Sequence, residues 1–559
     1  MTKRLRIVAV LMLALIFLLT ACKGSSGQPS TPANTGSTGT SSSGTTSSGS
    51  ASSGAATTEK SNFNPTGYPI VNEKVSFRIL TTFTPGNPAD FNELDVVKKA
   101  EDITNVHIEW ILVPTDGYQE KRNLMLASGD YPDMLGVNVP VDELIRYGSQ
   151  GIFIPMQDLL EEYAPNITAL YDEIPGFKKF LTAPDGNIYG VARVNAGPWM
   201  VTNGVGAINI KWLEVLGLEM PKTVDEFYEV MKAFKTRDPN GNGQADEIPF
   251  SFATRPTVTE GLTYFFGCFG VPLAAHYLDA RDGEVISVAT LPEFKECVSF
   301  LAKMYADGLI DIDYASQTAQ RLDAKINDPA VLIGYRQLWD INDLIADPNV
   351  KAQYDYMPLL KGPGGREPVF YKVPFAGIVR GAGVITSACK MPEALVRYLD
   401  YYYDPINAIE LNEGPIGVRV FQKEDGTYYV APPPEGKSAS EWRFANAPTT
   451  VPLNLSENTY RNIFKLPTTD WKVNFMDNEC MQYADNEPFM PVMYTLEESE
   501  KLATIQTDLI DYINRKVMEW IGNNKVDAEW DSYLQELKKI GLDEYIRINQ
   551  DAYNRFIAD

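Results

Sequence analysis

In the stretch "DPNGNGQADEIP", Asp238 to Pro249, oxygen-bearing side chains recur at alternate positions between glycines, and two acids close the run. Hard cations such as calcium are held by six to eight oxygens from carboxylates, amides and backbone carbonyls, so the chemistry this spacing suits is calcium binding. Asp238, Asn240 and Asn242 occupy the first, third and fifth positions of an EF-hand-like loop. Gly243 supplies the sixth-position turn, and Gln244 would lend its backbone carbonyl. The pattern then departs from an EF-hand. Its twelfth position is Pro249, and the acids Asp246 and Glu247 stand at the ninth and tenth. A capped helix enters the loop, while "EIPFSF" leaves it more like a strand, which makes it half an EF-hand. The same residues could also form an Asx-rich turn with no metal.

Other chemistry is poorly supplied. The chain has only two histidines, His107 and His276, which leaves little for a histidine-based triad or a multi-histidine metal site. Cys268, Cys297, Cys389 and Cys480 show neither CxxC nor zinc spacing and are expected to be isolated buried thiols. The net charge of -24 argues against nucleic acid and against docking on anionic lipid.

The elements that must position the loop begin with an export signal. Lys3, Arg4 and Arg6 precede an apolar run from Ile7 to Leu19, too short for an ordinary membrane span. It ends in "LTAC", which resembles the lipobox of bacterial lipoproteins and would make Cys22 the lipidated mature N-terminus; a plain secretory signal is the alternative. Residues 23–60 are almost pure Ser, Thr and Gly. With no apolar residues to form a core they are expected to be a flexible tether, about 35 Å end to end for roughly 40 residues. The remaining body is 44% hydrophobic by whole-chain composition and long enough for two sizeable lobes.

Within that body, "VSFRIL" (Val75 to Leu80) alternates like a strand buried on one face, a helix follows near Leu94 to Ile103, and Val106 to Val113 reads as a second strand. Alternating strands and helices predict an α/β fold with largely parallel sheets. Thr223 and Glu226 have capping-box spacing ahead of Phe227, Val230, Met231 and Phe234. Helices are also predicted from Pro392 and along the stripe Leu502, Ile505, Leu509, Ile513, Val517 and Trp520.

Several ordered stretches then resemble one family: "SGDYPDM" (Ser128 to Met134), "PDGNIYGV" (Pro184 to Val191), "INIKWLEVLGLEMPKTVDEF" (Ile208 to Phe227), the loop above, "ITSACKMPEALVRYLDYYYD" (Ile385 to Asp404) and the C-terminal "WDSYLQELKKIGLDEYIRINQDAYNRF". Together they resemble the extracellular solute-binding lipoproteins of bacterial ABC importers, in the oligosaccharide-binding branch that includes alginate-oligosaccharide-binding proteins. The resemblance implies a two-lobed periplasmic-binding-protein-like fold (type II), each lobe a mixed sheet flanked by helices, with a hinged interlobe cleft. Residues 61–190 and 384–450 would form the N-lobe, and 198–375 and 455–559 the C-lobe. It also implies that Asp238, Asn240, Asn242, Gln244, Asp246 and Glu247 hold a structural Ca2+, with Glu247 bidentate.

Sugars present apolar C–H faces and polar rims, so they are held by flat aromatics with carboxylates, amides or arginines at the edges. Trp199, Trp339 and Trp471 are the stacking candidates, Phe83 and Tyr189 are further ones, and Arg193, Asp340 and Glu413 are candidate rim partners. Trp110, Trp212 and Trp520 are assigned to core. The expected function is capture of an oligosaccharide between the lobes and delivery to ABC permease subunits, by a monomer anchored through lipid to the outer face of the cytoplasmic membrane. No catalytic residue is assigned. Two other jobs fit parts of the sequence. One is a ligand-presenting sensor. The other is an extracellular glycosidase, for which "NEP", Asn486 to Pro488, would supply one of two carboxylates set about 5–9.5 Å apart.

Overall fold

Strand β1 (Val75–Phe83) shows why the sheet residues are so apolar. Phe77 and Ile79 enter one core while Leu80 enters another on the opposite face, so its second half is buried on both sides. That departs from the half-buried strand its alternation suggests, and the cause is position: β1 lies inside a sheet covered on both faces. The computed structural model describes residues 61–253, 258–274, 276–448 and 450–558. The leader with Cys22 and the tether, residues 1–60, lie outside the described residues. Among the described residues no helix is long and apolar enough to cross a membrane.

Beside β1 run β2 (Val106–Pro114), β3 (Met134–Leu135), β4 (Val191–Asn195), β9 (Ile378–Ile385) and β10 (Asn454–Leu455), in the order β10-β4-β9-β3-β1-β2. All are mutually parallel except β9, which is antiparallel to β3 and β4. A second sheet holds β5 (Val205–Asn209), β6 (Ile248–Phe250), β7 (Ile333–Leu338) and β8 (Tyr354–Tyr356), in the order β8-β5-β7-β6. Here β5 runs against β7 and β8, and β6 runs with β7.

Helices cover both sheets. Helix α1 (Val224–Thr236) is capped by Thr223, which accepts the Glu226 N–H, while the Glu226 carboxylate accepts from Lys222 N–H. Its stripe Phe227, Val230, Met231 and Phe234 is buried against the second sheet, as are Trp212 and Trp520. Helix α2 (Pro392–Tyr401) buries Leu395, Tyr398 and Leu399 against the first. Helices α3 (Glu457–Asn462) and α4 (Asp470–Phe475) follow β10, and α5 (Leu496–Asn523), α6 (Val526–Ile540) and α7 (Leu542–Ile557) close the second core. Cys268, Cys297, Cys389 and Cys480 are free and buried. The result is two α/β lobes, each a mixed sheet flanked by helices.

The chain passes between the sheets after Asn195, again between Tyr356 and Ile378, and a third time beyond Leu455. These passages are tied backbone to backbone. Asn195 N–H donates to the Gly377 carbonyl (2.9 Å) and Ala196 N–H to that of Leu455 (2.8 Å). Gly377 sits at φ +74°, and a Cβ there would run into the Asn195 carbonyl. Gly377→Ala is therefore expected to lower the unfolding free energy by about 1–3 kcal/mol, from left-handed strain and the forced separation of two crossings. An unchanged urea denaturation midpoint would contradict this packing.

Candidate functional site

Strand direction decides where a site can form. In the first sheet the carboxyl ends of β1, β3, β4 and β10 share one edge with the start of β9, bringing together Phe83, Leu135, Asn195, Leu455 and Ile378. In the second, the ends of β6, β7 and β8 share an edge with the start of β5. The first crossing joins Asn195 to Val205 and so links these two edges. Ligands of open α/β sheets sit at such carboxyl edges.

The first edge carries a polar network. Arg193 donates to the Asn412 side chain (3.2 Å), and Arg443 donates to the Asn412 carbonyl and side chain (both 2.7 Å). Arg419 pairs with Glu413 at 2.9 Å and lies over the Trp442 ring, 5.0 Å from its centroid. Glu413 is buried and also faces Arg443 at 3.5 Å. Its carboxylate is thus engaged inside the lobe, not presented at a rim. Burial, then the Arg443 charge, pushes the Arg193 guanidinium below its ordinary range. Tyr460, on α3, donates to Asn195 Oδ1 (2.6 Å), and Trp199 stands edge-on to its ring at 4.7 Å. Trp199 packs against both cores. It also lines a cavity of 230 Å³ with Tyr460, Lys465 and Asp470.

The second edge is more aromatic. Trp339 follows β7, and the Lys472 ammonium lies 3.9 Å from its ring centroid. Asp340 caps the short helix Ile341–Leu344 through Asn342 N–H (2.7 Å). It is buried, and that burial raises its carboxyl. Trp471 donates from Nε1 to Asp355 (3.1 Å), and its ring centroid is 5.0 Å from that of Tyr356. Trp199, Trp339 and Trp471 are all partly exposed.

Two other candidates are placed differently. Phe83 is partly exposed at the end of β1, against Phe91, Leu94, Val96 and Val97. Tyr189 is only 4% exposed, packed with Leu80, Leu135 and Val384, and its hydroxyl donates to Asp185 (2.6 Å). Its ring fills the space a side chain at Gly148 would need, so Tyr189 is a core residue with no face for a ligand. A cavity of 510 Å³ that the sequence did not single out lies at the crossings, with walls from Gly197, Lys372, Phe375, Asn458, Arg461 and Asp485. The only cue to it was the turn-rich "KVPFAG", Lys372 to Gly377, between β8 and β9.

The Asp238–Glu247 loop precedes β6 and so lies at the amino-terminal edge of the second sheet, opposite the edge just described. Gly241 and Gly243 take φ of +70° and +74°. Asp238 accepts from the N–H groups of Asn242 (3.2 Å) and Gly243 (3.0 Å), and the amides of Asn240 and Asn242 donate to Asp246 (3.2 and 3.0 Å). Glu247 is 2% exposed, and its Oε1 is buried without a hydrogen-bond partner. Burial raises its carboxyl, and the Asp246 and Asp238 charges raise it further. An orphaned carboxylate oxygen beside amide and carboxylate oxygens fits a hard cation. However, among the described residues no three His, Cys, Asp or Glu side chains converge as a ready metal cluster.

The acids near Asn486 form a separate group. Asp485 accepts the Glu487 N–H (3.1 Å), Glu487 accepts the Asp282 N–H (3.0 Å), and burial with the Asp485 charge pushes Asp279 well above the usual carboxylate range. This is a structural pinning of the 485–488 turn onto the Leu278–Ser287 hairpin.

Comparison with known proteins identifies the family. Residues 88–409 match the family described as bacterial extracellular solute-binding protein. The chain is 34% identical over 503 residues to the fructooligosaccharide ABC transporter substrate-binding protein FusA of Streptococcus pneumoniae, covering 88% of this chain and 92% of the relative. An EF-hand mutant of FusA solved with fructo-nystose superimposes with a TM-score of 0.70 at 32% identity, over 86% of this chain and 99% of that one. An HMO-binding solute-binding protein from Bifidobacterium longum infantis shares the fold, with a TM-score of 0.77 at 22% identity over 87% and 100% of the two chains. The chain belongs to the bacterial extracellular solute-binding protein family.

Proposed function

We propose that this protein captures an oligosaccharide between its two lobes and delivers it unaltered to ABC transporter permease subunits. The observation that carries the reading is its 34% identity, over nearly full length, to a protein named for fructooligosaccharides. The family and its relatives are binding proteins, which sets the glycosidase reading aside. We assign residues 61–190 and 384–450 to the N-lobe and 198–375 and 455–559 to the C-lobe, except that Leu455, Tyr460 and Phe464 pack in the first core and go with the N-lobe. Trp199, Trp339 and Trp471 serve as stacking faces and Phe83 as an outer contact, backed by Asp340, buried as the cap of the short helix, and by Arg193, which is bonded to Asn412. The mechanism is a population shift: a ligand that touches both walls binds the closed form more tightly and draws the equilibrium to it. Cys22 carries lipid at the outer face of the cytoplasmic membrane, residues 23–60 tether the body above it, and the unit is a monomer.

The loop at Asp238 holds a structural calcium, with Asp238, Asn240, Asn242, Gln244, Asp246 and Glu247 as ligands. The orphaned Glu247 oxygen supports this, as does the EF-hand named in the FusA structure. The ion would lock the α1–β6 connection and supply no reaction chemistry.

Isothermal titration with kestose, the sugar in a second FusA structure, tests the ligand reading. Trp339→Ala and Trp471→Ala should each weaken binding by about tenfold or more, roughly 1.4 kcal/mol. If both leave affinity intact, or if no fructan, pectic or alginate oligosaccharide shifts the melting temperature, the reading fails. For the metal, calcium at about 100 times its Kd should stabilise chelator-treated protein by about 2.7 kcal/mol, and Glu247→Gln should reduce that gain. Kestose affinity should change little, because the loop lies at the opposite sheet edge. Identical thermal melts with calcium and with chelator would remove the ion from the account.

A further inference from the structure

We propose that Lys472 is a positioning residue that holds the Trp339 indole at the angle a sugar ring needs, so that the third crossing segment sets ligand affinity. This rests on Trp339 being a stacking face, as proposed above.

Lys472 is 0% exposed, and its ammonium has no hydrogen-bond partner. Lysine is almost never found so deeply buried unless paired, because stripping water from a charge is costly. What faces it instead is the Trp339 ring at 3.9 Å, a distance at which a desolvated cation and an indole attract strongly. The charged groups that act on it are Asp340 and Asp343 of the short helix, which the Tyr356 hydroxyl also joins by accepting the Ile341 N–H. The covered face of Trp339 belongs to Lys472, and a ligand stacks on what remains open.

The neighbouring residue strengthens the geometry. Trp471, one position earlier on α4, is bonded to Asp355 of β8, while Lys472 grips Trp339 at the end of β7. Two consecutive residues of α4 thus meet the second edge: Trp471, itself a stacking candidate, bonds Asp355, and Lys472 covers Trp339.

Titration separates positioning from mere packing. Burial lowers Lys472 to about 8, against partial opposition from Asp340 and Asp343. Above that pH the native ammonium loses its proton while the unfolded chain, with an ordinary lysine near 10.4, keeps it. The unfolded state then binds more protons, so this group's contribution to stability rises between about pH 8 and 10. Neutral Lys472 no longer attracts the indole, so affinity should fall over the same window. Affinity and stability move in opposite directions.

The test compares the native protein with Lys472→Met, which keeps the length and removes the charge, and with Trp339→Phe and Trp339→Ala. Ligand-free tryptophan fluorescence should show a transition with a midpoint near pH 8 in the native protein, lost in Lys472→Met and in Trp339→Phe. Kestose affinity of Lys472→Met should be about tenfold weaker at pH 7 and flat to pH 9.5, while native affinity falls toward it, with no loss of melting temperature in the variant. Native-like affinity and pH profile in Lys472→Met, with Trp339→Ala impaired, would overturn the proposal and leave the stacking site standing. Intact affinity in Trp339→Ala would instead sink the stacking site, and the fluorescence transition would still decide whether Lys472 governs the ring; its absence in the native protein overturns the proposal.

Discussion

The backbone hydrogen bonds from Asn195 to Gly377 and from Ala196 to Leu455 gather all three interlobe passages at one edge of the first sheet. The carboxyl edges of both sheets are arranged around that clamp. Because β4 and β10 end there and β9 begins there, the chain has to enter the second sheet from its carboxyl edge, and the open ends of both sheets are brought to the same region. Gly377 permits the close approach, since any side chain would meet the Asn195 carbonyl.

The two walls meeting there differ in kind. The first is charged inside: Arg193, Arg419 and Arg443 surround Asn412 and Glu413, within a chain of net charge -24. Buried networks of this sort cost desolvation and return rigidity, so the first wall is a stiff backing for Tyr460 and Trp199. The second is aromatic, with Trp339, Trp471 and Tyr356 around one buried ammonium.

Much of this was legible in the residues. Alternation marked β1 as a strand, though not that its second half is buried on both sides, while the Thr223 cap marked α1 and the stripe through Leu502 and Trp520 marked α5, because burial of one helix face repeats at the helical period. Ordered motifs pointed to the family. Side-chain partnerships across long stretches of chain were not legible. Tyr189 was a stacking candidate by residue type, but the missing side chain of Gly148 lets its ring sink into the core. Glu413 looked like a free acid, yet Arg419 and Arg443 claim it. Lys472 carried no signal at all, since nothing in local spacing shows that it faces Trp339.

Small-angle X-ray scattering of the protein with and without saturating oligosaccharide tests the central claim most directly. Two lobes hinged at the Asn195–Gly377–Leu455 clamp should give a smaller radius of gyration with ligand, with the sugar recovered uncut from the complex. An unchanged scattering profile at full occupancy, or release of shortened saccharide, would contradict the account.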